Sequence, residues 1–85
     1  MTTRERIRAF ITTNFYVTNV ARLGDDASLL EAGVIDSTGV LEIVDFLERE
    51  LGIRVGDTEI VPQNLGTIAN ITAYVDRKRG AESAG

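Results

Sequence analysis

The segment from Asp36 to Gly52 has the strongest helical pattern in this 85-residue chain. Its apolar residues recur every three or four positions and share one side of a helix: Val40, Ile43, Val44, Leu47 and Leu51. The opposite side is polar and comprises Thr38, Glu42, Asp45 and Arg49. Asp36-Ser37 supplies start signals, and Gly52 favours a left-handed stop. The segment predicts an amphipathic helix, with Phe46 beside the stripe, either touching a neighbouring helix or partly exposed.

A second helix is predicted at the start of the chain. Thr2-Thr3-Arg4-Glu5 has the pattern of a capping box, in which side chains satisfy the first free N–H groups. The apolar stripe that follows consists of Ile7, Phe10, Ile11 and Phe15. We expect this helix to end near Phe15 or Tyr16, where β-branched residues weaken helix preference.

A third helix is predicted from Thr67, which has the residue type of an N-cap. Its apolar stripe is Ile68, Ile71 and Val75. The basic run Arg77-Lys78-Arg79 is expected at the negative end of the helix, which Gly80 would terminate. We therefore expect one folded domain, residues 1–80, and a loose C-terminal tail, residues 81–85.

Two long irregular connections separate these helices. In the first, Asp25 or Asp26 is expected to cap a short turn that Gly33 stops. In the second, residues 57–61 are expected to form a short helical turn stopped by Pro62. The pattern predicts an all-α fold, a small helical bundle of three main helices plus one or two short turns.

Composition limits the classes of function. The chain has no cysteine and no histidine, and therefore neither a thiolate nucleophile nor the usual general base. A hydrolase that used Ser37 as nucleophile would lack a histidine partner. No apolar run approaches the roughly 18 residues that a membrane-spanning helix needs. These absences argue against a self-contained enzyme and a membrane protein, and we expect a cytoplasmic location.

The net charge of −4 is unevenly distributed. Residues 25–59 carry ten acidic and two basic side chains, a charge of −8, whereas the remainder carries seven basic and three acidic, a charge of +4. An acidic middle disfavours nucleic acid and favours basic protein partners. A merely solubilising surface would have the same composition, so charge alone leaves both interpretations open.

Ser37 gains meaning from the order of signals around it. Taken alone, a serine before a helix is usually an N-cap. Here an apolar turn, Gly33, two apolar residues and Asp36-Ser37 precede an acidic amphipathic helix, which Gly52-Ile53 follows. That order resembles the acyl carrier protein family, including peptidyl and D-alanyl carriers. The matching stretches run from Leu29 to Val44, from Phe46 to Ile53 and from Thr67 to Ile71.

The resemblance implies that Ser37 accepts 4′-phosphopantetheine from coenzyme A through a phosphopantetheinyl transferase. The positive end of a helix suits the resulting phosphodiester, and the transferase with its Mg²⁺ supplies the phosphoryl-transfer chemistry. The thiol of the arm would carry an acyl or aminoacyl group as a thioester. Asp36 is carried over as an accessory residue that positions Ser37 or the metal of the transferase, or only caps the helix.

The resemblance also implies a docking face for basic partner enzymes. It comprises Thr38, Glu42, Asp45 and Arg49, with Glu42 and Asp45 as the main recognition candidates. The alternative is an ordinary solvated helix face. The implied partners are the transferase, an acyl- or aminoacyl-loading enzyme and a downstream synthase or transferase. We expect a monomer that binds neither nucleic acid nor membrane.

The sequence departs from the fatty-acid pattern beside Ser37. Gly33 and Asp36 are separated by two residues, and Thr38-Gly39 replaces the frequent apolar residue. Gly-x-x-Asp-Ser-x-Gly is more similar to D-alanyl and stand-alone aminoacyl carriers. Gly39 either allows close approach by an arm or partner or is tolerated in the first turn. We expect a discrete acyl or aminoacyl carrier in specialised (polyketide or nonribosomal peptide) metabolism; the alternative is an unmodified acidic helical adaptor that binds a basic partner.

Several apolar residues allow two roles. Packing in the core is the first expectation for Val40, Val44, Leu47, Ile60, Ile68 and Ile71. In fatty-acid-type carriers, equivalent apolar surfaces part to shelter an acyl chain. The sequence itself contains no sign of such a pocket.

Overall fold

The computed structural model describes residues 2–15, 17 and 23–84, without the side chains of residues 81–84. This part of the chain forms four α-helices: α1, Thr3–Asn14; α2, Ser37–Glu50; α3, Pro62–Leu65; and α4, Ile68–Ala84. A 3₁₀ turn, Asp57–Glu59, precedes α3, and no strand occurs among these residues. The predicted all-α bundle is therefore confirmed.

Helix α1 begins and ends as its sequence predicts. Thr2 is the N-cap: its Oγ1 accepts a hydrogen bond from the N–H of Glu5 at 3.1 Å and donates one to the Glu5 carboxylate at 3.2 Å. The helix ends at Asn14, followed by Phe15 in an extended conformation. The other end considered, Tyr16, lies outside the described residues.

The turn before α2 is capped by Ser28 rather than by Asp25 or Asp26. Ser28 Oγ accepts a hydrogen bond at 3.2 Å from a backbone N–H three residues later. Asp25 instead forms ion pairs with Arg4 and Arg8 of α1, at 3.5 Å and 3.3 Å. The predicted aspartate cap is wrong, because α1 engages the carboxylate of Asp25.

Pro62 begins a helix rather than ending a turn. Proline suits the first position of a helix, because its φ is fixed and an N–H there would have no intrahelical acceptor. The expected turn is confirmed only over Asp57–Glu59, and α3 starts at Pro62. Four residues are too few for an apolar period to reveal, so α3 was not predicted.

Helix α4 begins as predicted but extends further. Thr67 Oγ1 accepts the N–H of Asn70 at 3.0 Å, which confirms the N-cap. The helix continues through Gly80 to Ala84, so the predicted end at Gly80 is wrong. Only Gly33 and Gly52 among the described glycines have the positive φ of a left-handed stop. The division of the chain into residues 1–80 and 81–85 stays a prediction.

The basic run of α4 lies within the helix and binds the loops beside it. Arg77 donates to the side-chain oxygen of Asn64 at 3.0 Å, and Arg79 donates to the carbonyl of Leu51 at 3.3 Å. Lys78, between them in the sequence, forms an ion pair with Glu59 of the 3₁₀ turn at 3.1 Å. These three side chains hold neighbouring segments against α4. Because α4 continues to Ala84, they do not lie at its negative end, and that prediction is wrong.

The apolar stripes of α1, α2 and α4 meet in one core, with α4 packed against α1 and α3. The buried residues are Ile7, Ile11, Leu23, Leu29, Ile35, Ile43, Leu47, Leu51, Ile53, Leu65, Ile68, Ile71, Tyr74 and Val75. Of the six residues with two possible roles, Leu47, Ile68 and Ile71 are fully buried, whereas Val40, Val44 and Ile60 are half-buried. No described helix is long and apolar enough to cross a bilayer.

Candidate functional site

Ser37 is the first residue of α2, and its side chain is exposed. Asp36 is the N-cap: its Oδ1 accepts the N–H of Gly39 at 2.8 Å. No described residue forms a hydrogen bond with the Ser37 hydroxyl, which therefore stays accessible. Of the roles considered for Asp36, capping is the one visible in the structure. The Ser37 side chain is therefore not needed to cap α2.

The first turn of α2 has two free backbone donors beside the hydroxyl. Asp36 accepts the N–H of Gly39 through its side chain and the N–H of Val40 through its carbonyl, at 2.8 Å and 3.0 Å. The N–H groups of Ser37 and Thr38 have no acceptor among the described residues. Free N–H groups at the positive end of a helix favour a bound phosphate. The site therefore fits a phosphodiester on Ser37.

The turn before Ser37 is stabilised by backbone hydrogen bonds within the turn and to the residue after α3. Gly33 has a φ of 72°, which confirms its predicted left-handed conformation. The N–H of Val34 donates to the carbonyl of Leu29 at 2.9 Å, and the N–H of Leu29 donates to the carbonyl of Gly66 at 2.9 Å. Ile35 follows with 6% of its surface exposed. These contacts fix the backbone that leads into the cap of α2.

Gly39 is buried by the protein's own side chains. A Cβ at this position would lie 3.0 Å from a ring carbon of Phe15 and 3.1 Å from the Cβ of Ile35. The sequence suggested an approaching arm or partner, or a tolerated glycine. The close approach shown by the structure is instead intramolecular, between the end of α1, the cap turn and α2.

The four residues of the predicted docking face lie together. Thr38, Glu42, Asp45 and Arg49 are all exposed and line an open groove of about 860 Å³ between α1 and α2, called here the α1–α2 groove. Asp45 and Arg49 form an ion pair at 3.2 Å, with side chains 62% and 76% exposed. Such an exposed pair adds little stability and remains available to a partner.

Five further residues complete the α1–α2 groove, and the sequence did not assign them to it: Phe10, Asn14, Leu41, Phe46 and Glu50. The rings of Phe10 and Phe46 are stacked, with centroids 4.2 Å apart and planes at 17°. Phe46 thus contacts α1, which is one of the two placements predicted for it. The signals available in the sequence were Phe46 and Leu41, two apolar residues of α2 outside its apolar stripe. The Leu41 side chain is 60% exposed.

A smaller apolar groove of about 160 Å³ lies on another side of α2. It is lined by Leu30, Ile35, Val40, Ile60, Val61, Pro62, Leu65 and Gly66. Val40 and Ile60 therefore line a surface groove as well as supporting the core. This placement explains why both residues are only half-buried.

A charged cluster joins the 3₁₀ turn to α4. Glu59 accepts hydrogen bonds from the N–H of Gly56 at 2.9 Å and from Lys78 Nζ at 3.1 Å, and these lower its pKa below the ordinary 4.5. Burial, followed by the charge of Glu59, raises the pKa of Tyr74 to about 12. The Tyr74 hydroxyl is close enough to be affected by that carboxylate but forms no hydrogen bond of ordinary geometry.

An exposed serine at the start of an acidic helix, in a small all-α bundle, is the arrangement of a carrier protein. Residues 5–75 match the family model described as "Phosphopantetheine attachment site". The chain is also 31% identical over 75 residues to "Probable acyl carrier protein PigG" of Serratia sp. (strain ATCC 39006), covering 88% of this chain and 86% of that protein. The chain belongs to the phosphopantetheine-binding acyl carrier protein family.

Family membership confirms several predictions. The chain is a carrier and not an enzyme, and its cofactor is covalently attached 4′-phosphopantetheine. Carrier proteins interact with a phosphopantetheinyl transferase and with loading or downstream enzymes. The alternative of an unmodified acidic adaptor is set aside.

Proposed function

We propose that Ser37 is the attachment residue for the 4′-phosphopantetheine arm. The observation that carries the proposal is the exposed Ser37 hydroxyl, which has no hydrogen-bond partner among the described residues and adjoins two N–H groups of α2 that likewise have no acceptor there. A transferase can reach such a hydroxyl without first breaking a hydrogen bond within the carrier. The product phosphate would remain at the positive end of the helix.

The attachment step balances without a base from the carrier. The Ser37 Oγ–H bond breaks and an Oγ–P bond forms to the pantetheine-linked phosphorus of coenzyme A. The pyrophosphate P–O bond breaks, adenosine 3′,5′-bisphosphate leaves, and a base of the transferase takes the proton. The transferase and Mg²⁺ stabilise the charge, because phosphoryl transfer depends on positioning and electrostatics. This division of work is compatible with a carrier that lacks histidine.

The carrier's own residues hold the attachment point in place. Asp36 keeps the first turn of α2 closed through its bond to Gly39, and buried Ile35 anchors the preceding backbone. The N–H groups of Ser37 and Thr38 are the donors available to the phosphodiester. When attached, the arm supplies a terminal thiol that holds acyl or aminoacyl groups as thioesters.

We further propose a discrete acyl or aminoacyl carrier of specialised polyketide or nonribosomal peptide metabolism, acting in the cytoplasm. The support for the pathway is the Gly33-x-x-Asp36-Ser37-x-Gly39 spacing, which is more similar to aminoacyl carriers than to fatty-acid carriers. The similarity to a probable acyl carrier protein over 86% of its length supports the carrier function. A loading enzyme and a downstream synthase or transferase would use the same arm in turn.

Intact mass spectrometry tests the attachment proposal. The protein is incubated with coenzyme A, Mg²⁺ and a broad-specificity phosphopantetheinyl transferase, and the mass is measured before and after. We expect one phosphopantetheine adduct on the wild type and none on Ser37→Ala. Fragmentation of the adduct should locate it at Ser37.

The matched control is Ser28→Ala, which removes a hydroxyl from the preceding turn and should leave the adduct in place. Circular dichroism verifies that each variant retains its helices. A folded wild type without any adduct would overturn carrier function for this chain. An adduct that persists on Ser37→Ala would overturn the choice of residue.

A further inference from the structure

Residues 57–65, from the start of the 3₁₀ turn to the end of α3, are held more firmly by α4 than by α2. Toward α4, the segment packs through α3, and Glu59 forms an ion pair with Lys78 at 3.1 Å. Toward α2, the smaller apolar groove of about 160 Å³ interrupts the packing. Leu65 is the one residue of this segment that is fully buried. A segment with few buried apolar contacts is one that can open locally.

Both ends of this segment are tied to other parts of the chain. Before it, the N–H of Val55 donates to the carboxylate of Glu48 on α2 at 3.1 Å. Directly after it, the carbonyl of Gly66 accepts a hydrogen bond from the N–H of Leu29 at 2.9 Å. Because these two bonds lie outside residues 57–65, the segment can leave α4 without breaking either of them.

The Tyr74 hydroxyl of α4 lies beneath the segment without a hydrogen bond. Among the described residues it is the only buried side-chain polar atom that lacks a partner, and Tyr74 is 2% exposed. Burial, together with the charges of Glu59 and Glu48, raises the pKa of Tyr74 to about 12, so the hydroxyl faces the 3₁₀ turn and α2. A buried hydroxyl without a partner costs free energy. Movement of the 3₁₀ turn away from α4 would admit water and remove that cost.

We propose that residues 57–65, called here the latch segment, open as a unit while α1, α2 and α4 stay folded. The ion pair between Glu59 and Lys78 holds the latch segment closed. The buried Tyr74 hydroxyl acts in the opposite direction, because it gains hydrogen bonds to water only in the open state. The closed and open states are thus set against each other by three side chains at one contact.

Opening of the latch segment changes the surface beside α2. Val61 and Leu65 of the latch segment line the smaller apolar groove together with Val40 of α2. Val40 follows Ser37 by three residues, which is about one helical turn. The ion pair on α4 therefore controls the width of an apolar surface on one side of the proposed attachment residue.

Amide hydrogen exchange near neutral pH tests whether the latch segment opens separately. The Leu65 N–H donates to the carbonyl of Val61 at 2.9 Å, within the latch segment. The Ile71 N–H donates to the carbonyl of Thr67 at 3.0 Å, at the start of α4. We expect the protection factor of Leu65 to be about tenfold or more below that of Ile71 and to depend less on urea, because local opening exposes less surface than global unfolding. Equal protection of the two amides, or an equal urea dependence, would overturn separate opening.

Two carboxylates of the 3₁₀ turn provide a matched test of the ion pair. Glu59→Gln and Asp57→Asn each remove one charge, but only Glu59 is paired with Lys78. We expect Glu59→Gln to lower the protection of Leu65 about threefold to tenfold, and Asp57→Asn to leave it near the wild-type value. Lys78→Gln should reproduce the loss from the other side of the pair. Protection equal to that of Asp57→Asn in either Glu59→Gln or Lys78→Gln would overturn the role of the ion pair.

Tyr74→Phe is expected to change the exchange in the opposite direction. The substitution keeps the ring and removes the hydroxyl, so the closed state no longer buries a polar group without a partner. We expect the protection of Leu65 to rise about threefold or more, whereas a loss of packing or of a hydrogen bond would lower it. An unchanged or lower protection would overturn the role of the hydroxyl. Circular dichroism verifies that each variant retains its helices.

This inference and the proposed attachment at Ser37 can fail independently. Exchange is measured on the unmodified full chain, whose mass is verified beforehand, so the result does not depend on the phosphopantetheine arm. Exchange of Leu65 only through global unfolding would overturn the latch segment and leave the attachment at Ser37 unaffected. Absence of an adduct in the transferase reaction would overturn the attachment and leave the exchange result as measured.

Discussion

Gly39 is two residues from Ser37, and its missing side chain determines how closely three segments pack. The Phe15 ring at the end of α1 and the Cβ of Ile35 in the cap turn both lie where a side chain would begin. The ring can shift by a rotation, but the Cβ of Ile35 can move only with its backbone. Glycine at this position therefore allows the turn before Ser37 and the end of α1 to pack closely together.

Gly39→Ala is predicted to destabilise the protein by about 1 kcal/mol, because the cost of overpacking exceeds the gain in helix propensity. Gly80→Ala is the matched control within α4, where nothing lies within 4 Å of the new Cβ. That change should stabilise the protein by up to about 1 kcal/mol. Urea unfolding measures both changes in stability, and stabilisation by Gly39→Ala would contradict close packing of Phe15 and Ile35 against Gly39.

At the scale of elements, the segment from the 3₁₀ turn to α3 is held to α4 largely by polar contacts. Glu59 bonds to Lys78, and Asn64 accepts a hydrogen bond from Arg77 while donating to the carbonyl of Glu59 at 2.9 Å. Leu65 is buried in the core, and half-buried Ile60 packs against it. Its attachment to α4 therefore depends partly on charge.

The lowered pKa of Glu59 predicts a loss of stability in acid. Hydrogen bonds from Gly56 and Lys78 favour the ionised carboxylate in the folded state. Their contribution is therefore present above the ordinary pKa of 4.5 and is lost as the pH falls through the lowered folded value. Glu59→Gln should be less stable than wild type at pH 7, and the difference should narrow progressively below pH 4.5.

Urea unfolding at a series of pH values measures this difference. Asp57→Asn is the control, because Asp57 is an exposed carboxylate of the same turn and its side chain forms no hydrogen bond or ion pair with the described residues. A Glu59→Gln difference that stays constant with pH would contradict a role for the ionised carboxylate.

Periodicity predicts elements only when they are long enough to repeat. The stripes of α1, α2 and α4 each contain at least three apolar repeats, and these helices were located from them. Helix α3 has four residues, and Pro62 was interpreted as a stop although proline equally suits the first helical position. The cap at Ser28 was missed because Asp25, an equally good cap by type, is engaged by α1.

At the scale of the whole molecule, the uneven distribution of charge affects how partner proteins approach the carrier. Residues 25–59 carry −8, and they include α2 with its predicted docking face. A concentrated negative field attracts basic partners over distances that salt controls.

Transferase KM should therefore rise with ionic strength. From about 0.01 M to about 1 M salt, the Debye length falls from about 30 Å to about 3 Å, and we expect KM to rise about tenfold or more. Glu42→Gln should flatten this dependence, whereas Asp76→Asn, on the exposed surface of α4, should not. The measurement is a salt series of initial modification rates, and a KM independent of salt would contradict electrostatic steering.

The site was predictable where it depends on neighbours in sequence. Ser37, Asp36 and the face from Thr38 to Arg49 lie on one helix, so their arrangement follows from helical geometry. The contribution of Phe10 was not predictable, because the pairing of α1 with α2 is a tertiary property. The close approach of Phe15 to Gly39 was not predictable for the same reason, because it also depends on how α1 packs against α2.

The stacked rings of Phe10 and Phe46 give the groove a spectroscopic signature. With centroids 4.2 Å apart, the ring current of each phenylalanine shifts the proton resonances of the other. The chain has three phenylalanines and no tryptophan, so isotope labelling of phenylalanine alone yields three sets of side-chain signals. Two of these residues lie in the α1–α2 groove, and their chemical shifts would report an arriving partner without any attached dye.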